Sequence, residues 1–126
     1  MTEQTPKIEA NHYVLAVPDA ERTAQFFVSA LGFERVPVPD PGWRFVRKDS
    51  CMIMLGSCPD AAAPSSLGDH AYFGYLVVAD VDAYHRHLVS RGVAVMAPPA
   101  DRPWGMREMP VRTPDGHRIM LGQRLV

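Results

Sequence analysis

The sequence predicts an α+β fold in which two paired βαβββ modules form an incomplete barrel. Three observations predict it. The tetrapeptide Ile-Met-Leu-Gly occurs twice, at Ile53-Met54-Leu55-Gly56 and Ile119-Met120-Leu121-Gly122, each time at the same distance behind an aspartate, Asp49 or Asp115. An aspartate that can cap a helix, a helical run and a closing glycine also occur twice, as Asp19 to Gly32 and Asp80 to Gly92. Between these halves the chain consists largely of Gly, Ser, Pro and Ala, the composition of a linker. A unit of one strand, one helix and three strands cannot bury its apolar face alone, so two such units must pair. The chain is therefore read as one domain over residues 1–126, with repeats at 11–56 and 70–122 joined by a linker at 57–69.

The elements follow in order. His12 to Val17 reads as a strand, stopped at Pro18-Asp19. Asp19 is a suitable N-cap, and Thr23, Phe26, Phe27, Ala30 and Leu31 recur at helical spacing until Gly32 closes the run. Residues 33–38 form a short strand bounded by Pro37, Pro39 and Pro41. Residues 43–47 alternate, Asp49-Ser50 turns the chain, and residues 51–55 make the fourth strand.

In the second half residues 72–78 are an apolar strand. Asp80 caps a helix whose buried stripe is Val81, Tyr84 and Leu88, and Gly92 ends it. Residues 93–96 are expected to be the next strand, stopped by Pro98-Pro99, with a few extra residues in 97–104. Residues 107–112 alternate, Pro114-Asp115-Gly116 turns, and residues 117–121 close the domain.

Hydrophobic residues make up 47% of the chain, enough for a true core, and the formal net charge is -1. That balance indicates no charge-driven nucleic-acid or membrane partner. No apolar run is long enough to span a bilayer, and residues 1–10 lack the apolar segment of a secretory signal. A cytoplasmic protein is the expectation, with Cys51 and Cys58 as reduced thiols.

His-Tyr-Val-Leu-Ala-Val-Pro-Asp at 12–19, followed by Phe26-Phe27 and Leu31-Gly32-Phe33, resembles the opening of the vicinal oxygen chelate superfamily. That superfamily includes glyoxalase I, extradiol dioxygenases and the bleomycin-resistance proteins. Pro103 to Glu108 and Thr113 to His117 resemble its closing hairpin, so the likeness runs over roughly 11–123. Its enzymes hold a divalent metal with inward residues from the first and last strand of each module. By that resemblance the four positions fall on His12, Met54, Phe73 (or Tyr72, if the register slips by one) and Met120. Thioether sulfur is a poor donor to such ions, which implies no metal and no other cofactor. Of the other side chains that could rebuild a site, His70, His117 and Glu108, both histidines are expected to be solvated.

The resemblance is closest to metal-free, bleomycin-resistance-type members. It implies a homodimer, with modules exchanged between subunits in many relatives, that sequesters a small aromatic or hydrophobic molecule. That molecule could be an antibiotic or a self-made metabolite. The alternative is a metal-dependent lyase, isomerase or dioxygenase with an atypical ligand set that includes His12.

The candidate ligand-binding residues are His12, Trp43, Phe45, Met54, Phe73, Trp104, Glu108 and Met120. Trp43 and Trp104 offer flat surfaces for stacking, each with packing in the core as the plain alternative. Phe45, Met54, Phe73 and Met120 would build the apolar wall, with methionine equally suited to gap filling. His12 and Glu108 would supply polar contacts. Glu108 faces the cavity if Met120 stands opposite Pro110, and otherwise pairs at the surface with Arg107 or Arg44. No catalytic nucleophile motif is visible.

Overall fold

The computed structural model describes residues 9–62, 64–66 and 71–126. Their order is β1 (His12–Val17), α1 (Ala20–Leu31), β2 (Glu34–Val36), β3 (Trp43–Lys48), β4 (Cys51–Ser57), a single 3-10 turn (Pro64–Ser66), β5 (Tyr72–Val77), α2 (Val81–Ser90), β6 (Ala100–Arg102), β7 (Met106–Arg112) and β8 (Arg118–Arg124). Residues 63 and 67–69 of the expected linker, and the candidate His70, lie outside the described residues.

Both helices begin and end as their sequences dictate. The Asp19 carboxylate accepts a hydrogen bond from the Arg22 amide at 3.2 Å, and that of Asp80 from the Ala83 amide at 3.0 Å. Each satisfies a first-turn amide that has no partner inside its helix. Gly32 (φ 78°) and Gly92 (φ 71°) follow the two helices in the left-handed region, where a Cβ would be strained.

The strands form two four-stranded sheets, ordered β1-β4-β3-β2 and β5-β8-β7-β6. Within each, the first strand runs parallel to the last and the other pairs are antiparallel. The two sheets do not close into a barrel. They meet at the neighbouring edges β1 and β5, where the Tyr13 and Phe73 rings pack edge to face at 6.2 Å.

Alternation sends one set of strand residues toward the helices. Leu15, Val17, Val46, Ile53 and Leu55 do so in the first sheet, and Met109, Val111, Ile119 and Leu121 in the second. They share one core with Phe27 and Leu31 of α1 and with Val81 and Leu88 of α2. Fully burying a side chain of this size is worth about 1.5–3 kcal/mol. Polar contacts tie the halves together: the Thr23 hydroxyl donates to Asp115 Oδ2 at 2.5 Å, and the Tyr84 hydroxyl to the Leu31 carbonyl at 3.0 Å. No helix among the described residues is long and apolar enough to cross a membrane.

Three expectations need correction. The third element after the linker turn is displaced: residues 93–96 form no strand, and β6 lies instead at Ala100–Arg102, within the stretch read as an insertion. Val93 and Val95 pack against the core from a loop, so their alternation reflects packing rather than sheet pairing. The strand expected over 33–38 is only Glu34–Val36, because Pro37 has no amide to continue the ladder. The last strand continues past Leu121 to Arg124.

Candidate functional site

Because the helices cover one face of each sheet, the alternate strand residues form an opposite, open face. The register places them in rows. In the first sheet Val14, Met54 and Phe45 stand side by side, and in the second Tyr75, Met120 and Pro110. The repeated methionines thus occupy matching central positions. The next row is Ala16-Gly56-Trp43 in one half and Val77-Gly122-Glu108 in the other.

These rows explain the glycine that ends each tetrapeptide. A Cβ on Gly56 would stand 3.0–3.3 Å from three carbons of the Trp43 ring. A Cβ on Gly122 would lie 2.6–2.7 Å from two Tyr75 ring carbons, closer than contact allows. In each half an aromatic side chain lies across bare backbone, which only glycine permits at that distance.

Glu108 is the polar centre of the second sheet. Met120 does stand opposite Pro110, so Glu108 is on the open face, yet it is only 5% exposed. The Tyr75 hydroxyl (2.7 Å) and the Trp104 indole N–H (3.0 Å) both donate to its Oε2. Arg102 Nε lies 3.8 Å from its Oε1. Burying a carboxylate is costly unless donors replace water, and these groups do so. The Tyr75 phenol is pushed up to about 12 by burial first and by the adjacent carboxylate second, so it stays a donor at neutral pH. Neither expected surface partner holds Glu108: Arg107 pairs with Asp82 and Asp101, and Arg44 with Glu21.

The remaining candidates divide. Trp43 and Phe45 pack edge to face at 6.3 Å beside Met54. Trp104 is 64% exposed in the turn between β6 and β7, with its ring pinned by the bond to Glu108. By register the counterpart of Trp43 is Glu108, so the two tryptophans do not occupy equivalent places in the two halves. His12 is exposed at the start of β1 beside Met52, and it lines a groove of about 650 Å³ with Asp49, Cys51, Tyr75 and Tyr84.

Phe73 is not on the open face. The β5–β8 register shifts between Tyr72 and Gly74, and this irregularity turns Phe73 to the helix side. There its ring packs against Tyr13 and His117, each at 6.2 Å. His117 is buried rather than solvated, at 8% exposure, because the turn after Pro114 folds it onto Phe73. Its imidazole is held below the ordinary value by burial, which outweighs the opposing pull of Asp115.

Tyr75 and Arg102, both at the Glu108 carboxylate, stand outside the eight candidates that the sequence offered. Aligning the two Ile-Met-Leu-Gly strands with their parallel partners would have paired Tyr75 with Val14 and drawn attention to it. The thiol of Cys51 is pushed up by burial, which favours its protonated form at neutral pH.

Could the described residues hold a metal? Met54 and Met120 offer only thioethers, and Phe73 faces away. Among the described residues no three His, Cys, Asp or Glu side chains converge. This donor set does not fit a hard divalent cation.

Known proteins agree with the fold. A family model described as Glyoxalase/Bleomycin resistance protein/Dioxygenase superfamily matches residues 9–121. No curated protein matches the chain in sequence. Among solved structures, a glyoxalase/bleomycin resistance protein/dioxygenase superfamily member from Sphaerobacter thermophilus is 29% identical, covering 94% of this chain and 98% of its own, with a TM-score of 0.68. TioX from Micromonospora sp. ML1 is 22% identical over 93% of this chain and 99% of its own, at 0.74. A glyoxalase-related enzyme from Clostridium phytofermentans is 18% identical over 98% of this chain and 100% of its own, at 0.77. At these low identities the latter two show the fold alone.

Proposed function

We propose that this chain, which belongs to the glyoxalase/bleomycin resistance protein/dioxygenase superfamily, is a small-molecule-binding protein that works without a metal. It would hold an aromatic or hydrophobic ligand against the open faces of its sheets and keep that ligand from its target. The supporting observation is the chemistry of those faces. Thioether and aromatic side chains occupy the central rows, and an exposed tryptophan is braced by a buried carboxylate.

The contributions have clear physical sources. Apolar ligand surface removed from water contributes about 25 cal/mol per Å². Stacking on an aromatic ring adds about 0.5–1.5 kcal/mol. Trp104 is already oriented by its bond to Glu108, so less rotamer freedom is lost when a ligand lands on it. Met54 and Met120 can adjust to ligands of different outline.

The reading includes a homodimer. Val14 is 62% exposed, Tyr75 40% and Val77 48%, so apolar surface lies open on both sheets of a lone chain. A second copy would cover it and turn the open faces into enclosed chambers, whether or not modules are exchanged. An antibiotic or a self-made metabolite would suit a resistance role of this kind.

The test is a thermal-shift screen of planar antibiotics and metabolites, followed by a tryptophan-fluorescence titration of each hit. Binding raises the melting temperature by mass action and quenches emission. Trp104→Ala weakens binding about tenfold, the loss of one stacked ring and its buried area. Exposed Arg86 on α2 is the control, and Arg86→Ala leaves binding unchanged. Stoichiometric zinc, nickel, manganese or iron that survives dialysis would replace this reading with the metal-dependent enzyme.

A further inference from the structure

We infer a second binding site, at the free edge of β7, that takes a small free carboxylate with an apolar tail. Arg112 and Arg22 receive the head, and the loop at 93–96 receives the tail. The site is separate from the open faces and does not depend on the function proposed for them.

The groove exists because a strand pairing stops. β6 pairs with β7 only from Met106 to Glu108, with Ala100 opposite Glu108. Continued by two residues, that register would set Pro98 opposite Pro110. Neither has an amide hydrogen, so the ladder ends. The chain before Pro98 leaves the sheet, and Val93 and Val95 pack on the core instead.

The edge of β7 beyond that point keeps free backbone groups. The Thr113 amide donates to the His117 carbonyl, and the Leu125 amide to the Gly105 carbonyl. The odd-numbered residues of β7 therefore bond to β8, and the even-numbered ones turn their backbone groups the other way. At Glu108 strand β6 meets them. At Arg112 β6 has ended, and among the described residues no other backbone group bonds its N–H or C=O.

The space left there is about 380 Å³, the size of a small-molecule cleft. Phe26 of α1, Val93, Val95, Met96 and Pro114 wall it, and Met96 is 39% exposed. Among the described residues that line it, Arg112 alone is charged. Arg22 brings a second guanidinium to the rim, where its Nη2 donates to the Pro114 carbonyl at 3.5 Å. Among the described residues neither arginine has an ion-pair partner, whereas Arg35, Arg44, Arg102 and Arg107 each have one. The adjacent carboxylate of Asp115 accepts instead from the Thr23 hydroxyl.

This chemistry selects the occupant. Guanidiniums and an edge amide match the two oxygens of a carboxylate, and the apolar wall beside them suits a hydrocarbon tail. An ammonium head would be repelled by both arginines. An added peptide strand gains little, because Pro110 cannot accompany the Arg112 amide with a second N–H on this edge.

The experiment titrates octanoate, octanol, octanamide and octylamine by isothermal titration calorimetry and locates each by methionine-methyl NMR. Octanoate binds about tenfold or more tightly than octanol or octanamide, with an advantage that shrinks as salt is raised. It shifts the Met96 methyl and leaves those of Met54 and Met120, on the open faces, in place. Arg22 and Arg112 are both exposed, so their substitution leaves the fold intact. Arg22→Gln and Arg112→Gln each weaken octanoate about threefold or more and leave octanol unchanged. Arg86→Gln on α2 changes neither. If octanol or octylamine binds as tightly as octanoate, or if octanoate shifts Met54 or Met120 and not Met96, the inference is overturned. If octanoate does not bind at all, the inference likewise falls, while the open-face function is judged by its own screen.

Discussion

Gly122→Ala tests whether the repeated glycine exists to let an aromatic side chain cross the sheet. A methyl at this position would meet the Tyr75 hydroxyl and would lie 2.6–2.7 Å from two carbons of its ring. Tyr75 must swing away and give up its 2.7 Å hydrogen bond to Glu108. Overpacking of this kind costs about 1–3 kcal/mol. Loss of a hydrogen bond to a charged group costs about 1.5–3 kcal/mol more. Replacing a strand glycine by alanine returns about 0.5–1 kcal/mol of backbone entropy. A net loss of about 1.5–5.5 kcal/mol follows from these opposing terms. Urea unfolding followed by far-UV circular dichroism measures it as a lower midpoint at constant slope. Gly56→Ala is the internal comparison, because there the Trp43 ring stands 3.0–3.3 Å from the new methyl and must yield only slightly. Its cost is about 1 kcal/mol or less. In a Tyr75→Leu background the obstruction is gone, so Gly122→Ala becomes nearly neutral, a coupling of at least about 1 kcal/mol. A loss below about 0.5 kcal/mol for the single variant, or simple additivity with Tyr75→Leu, would refute the reasoning.

Thr23→Val removes the hydroxyl that bridges α1 to Asp115, and it lowers stability by about 1–2 kcal/mol in the same urea assay. His117 is a group whose folded value lies below the 6.5 of a free imidazole, so the unfolded chain binds its proton first. Its contribution is complete above that pH and is lost as pH falls below it; His117→Gln flattens this acid limb in thermal melts taken across pH. Tyr75 behaves in the opposite sense, since its folded value is raised from 10.0 to about 12. Its contribution is complete below pH 10.0 and is lost as pH climbs toward about 12, and Tyr75→Phe abolishes that alkaline loss. With Tyr75 40% exposed, solvent screening keeps the alkaline effect small.

How much of the site was legible depends on the kind of signal. Trp43, Phe45, Met54, Met120 and Glu108 stand on the open face because strand parity and the Pro110–Met120 register are local properties. Phe73 defeated the same reasoning, because one irregularity in β5 reverses the face of a residue while leaving its sequence pattern intact. The strand expected at 93–96 failed for a related reason. Val93 and Val95 are apolar because they cap the core, and apolar alternation does not reveal whether a backbone finds a partner. The bond from Trp104 to Glu108 spans only four residues, yet it depends on the turn that Gly105 makes at φ 84° and on Tyr75 arriving from β5.

By itself the sequence determined the duplicated module, the two capped helices and the alternating strands, since each follows from periodicity and from Asp, Gly and Pro acting within a few residues. Only the tertiary structure decided which face stayed open and how a buried carboxylate came to be clasped by two aromatic donors. Those outcomes depend on register between strands far apart in the chain, where a shift of one residue moves every side chain to the other face.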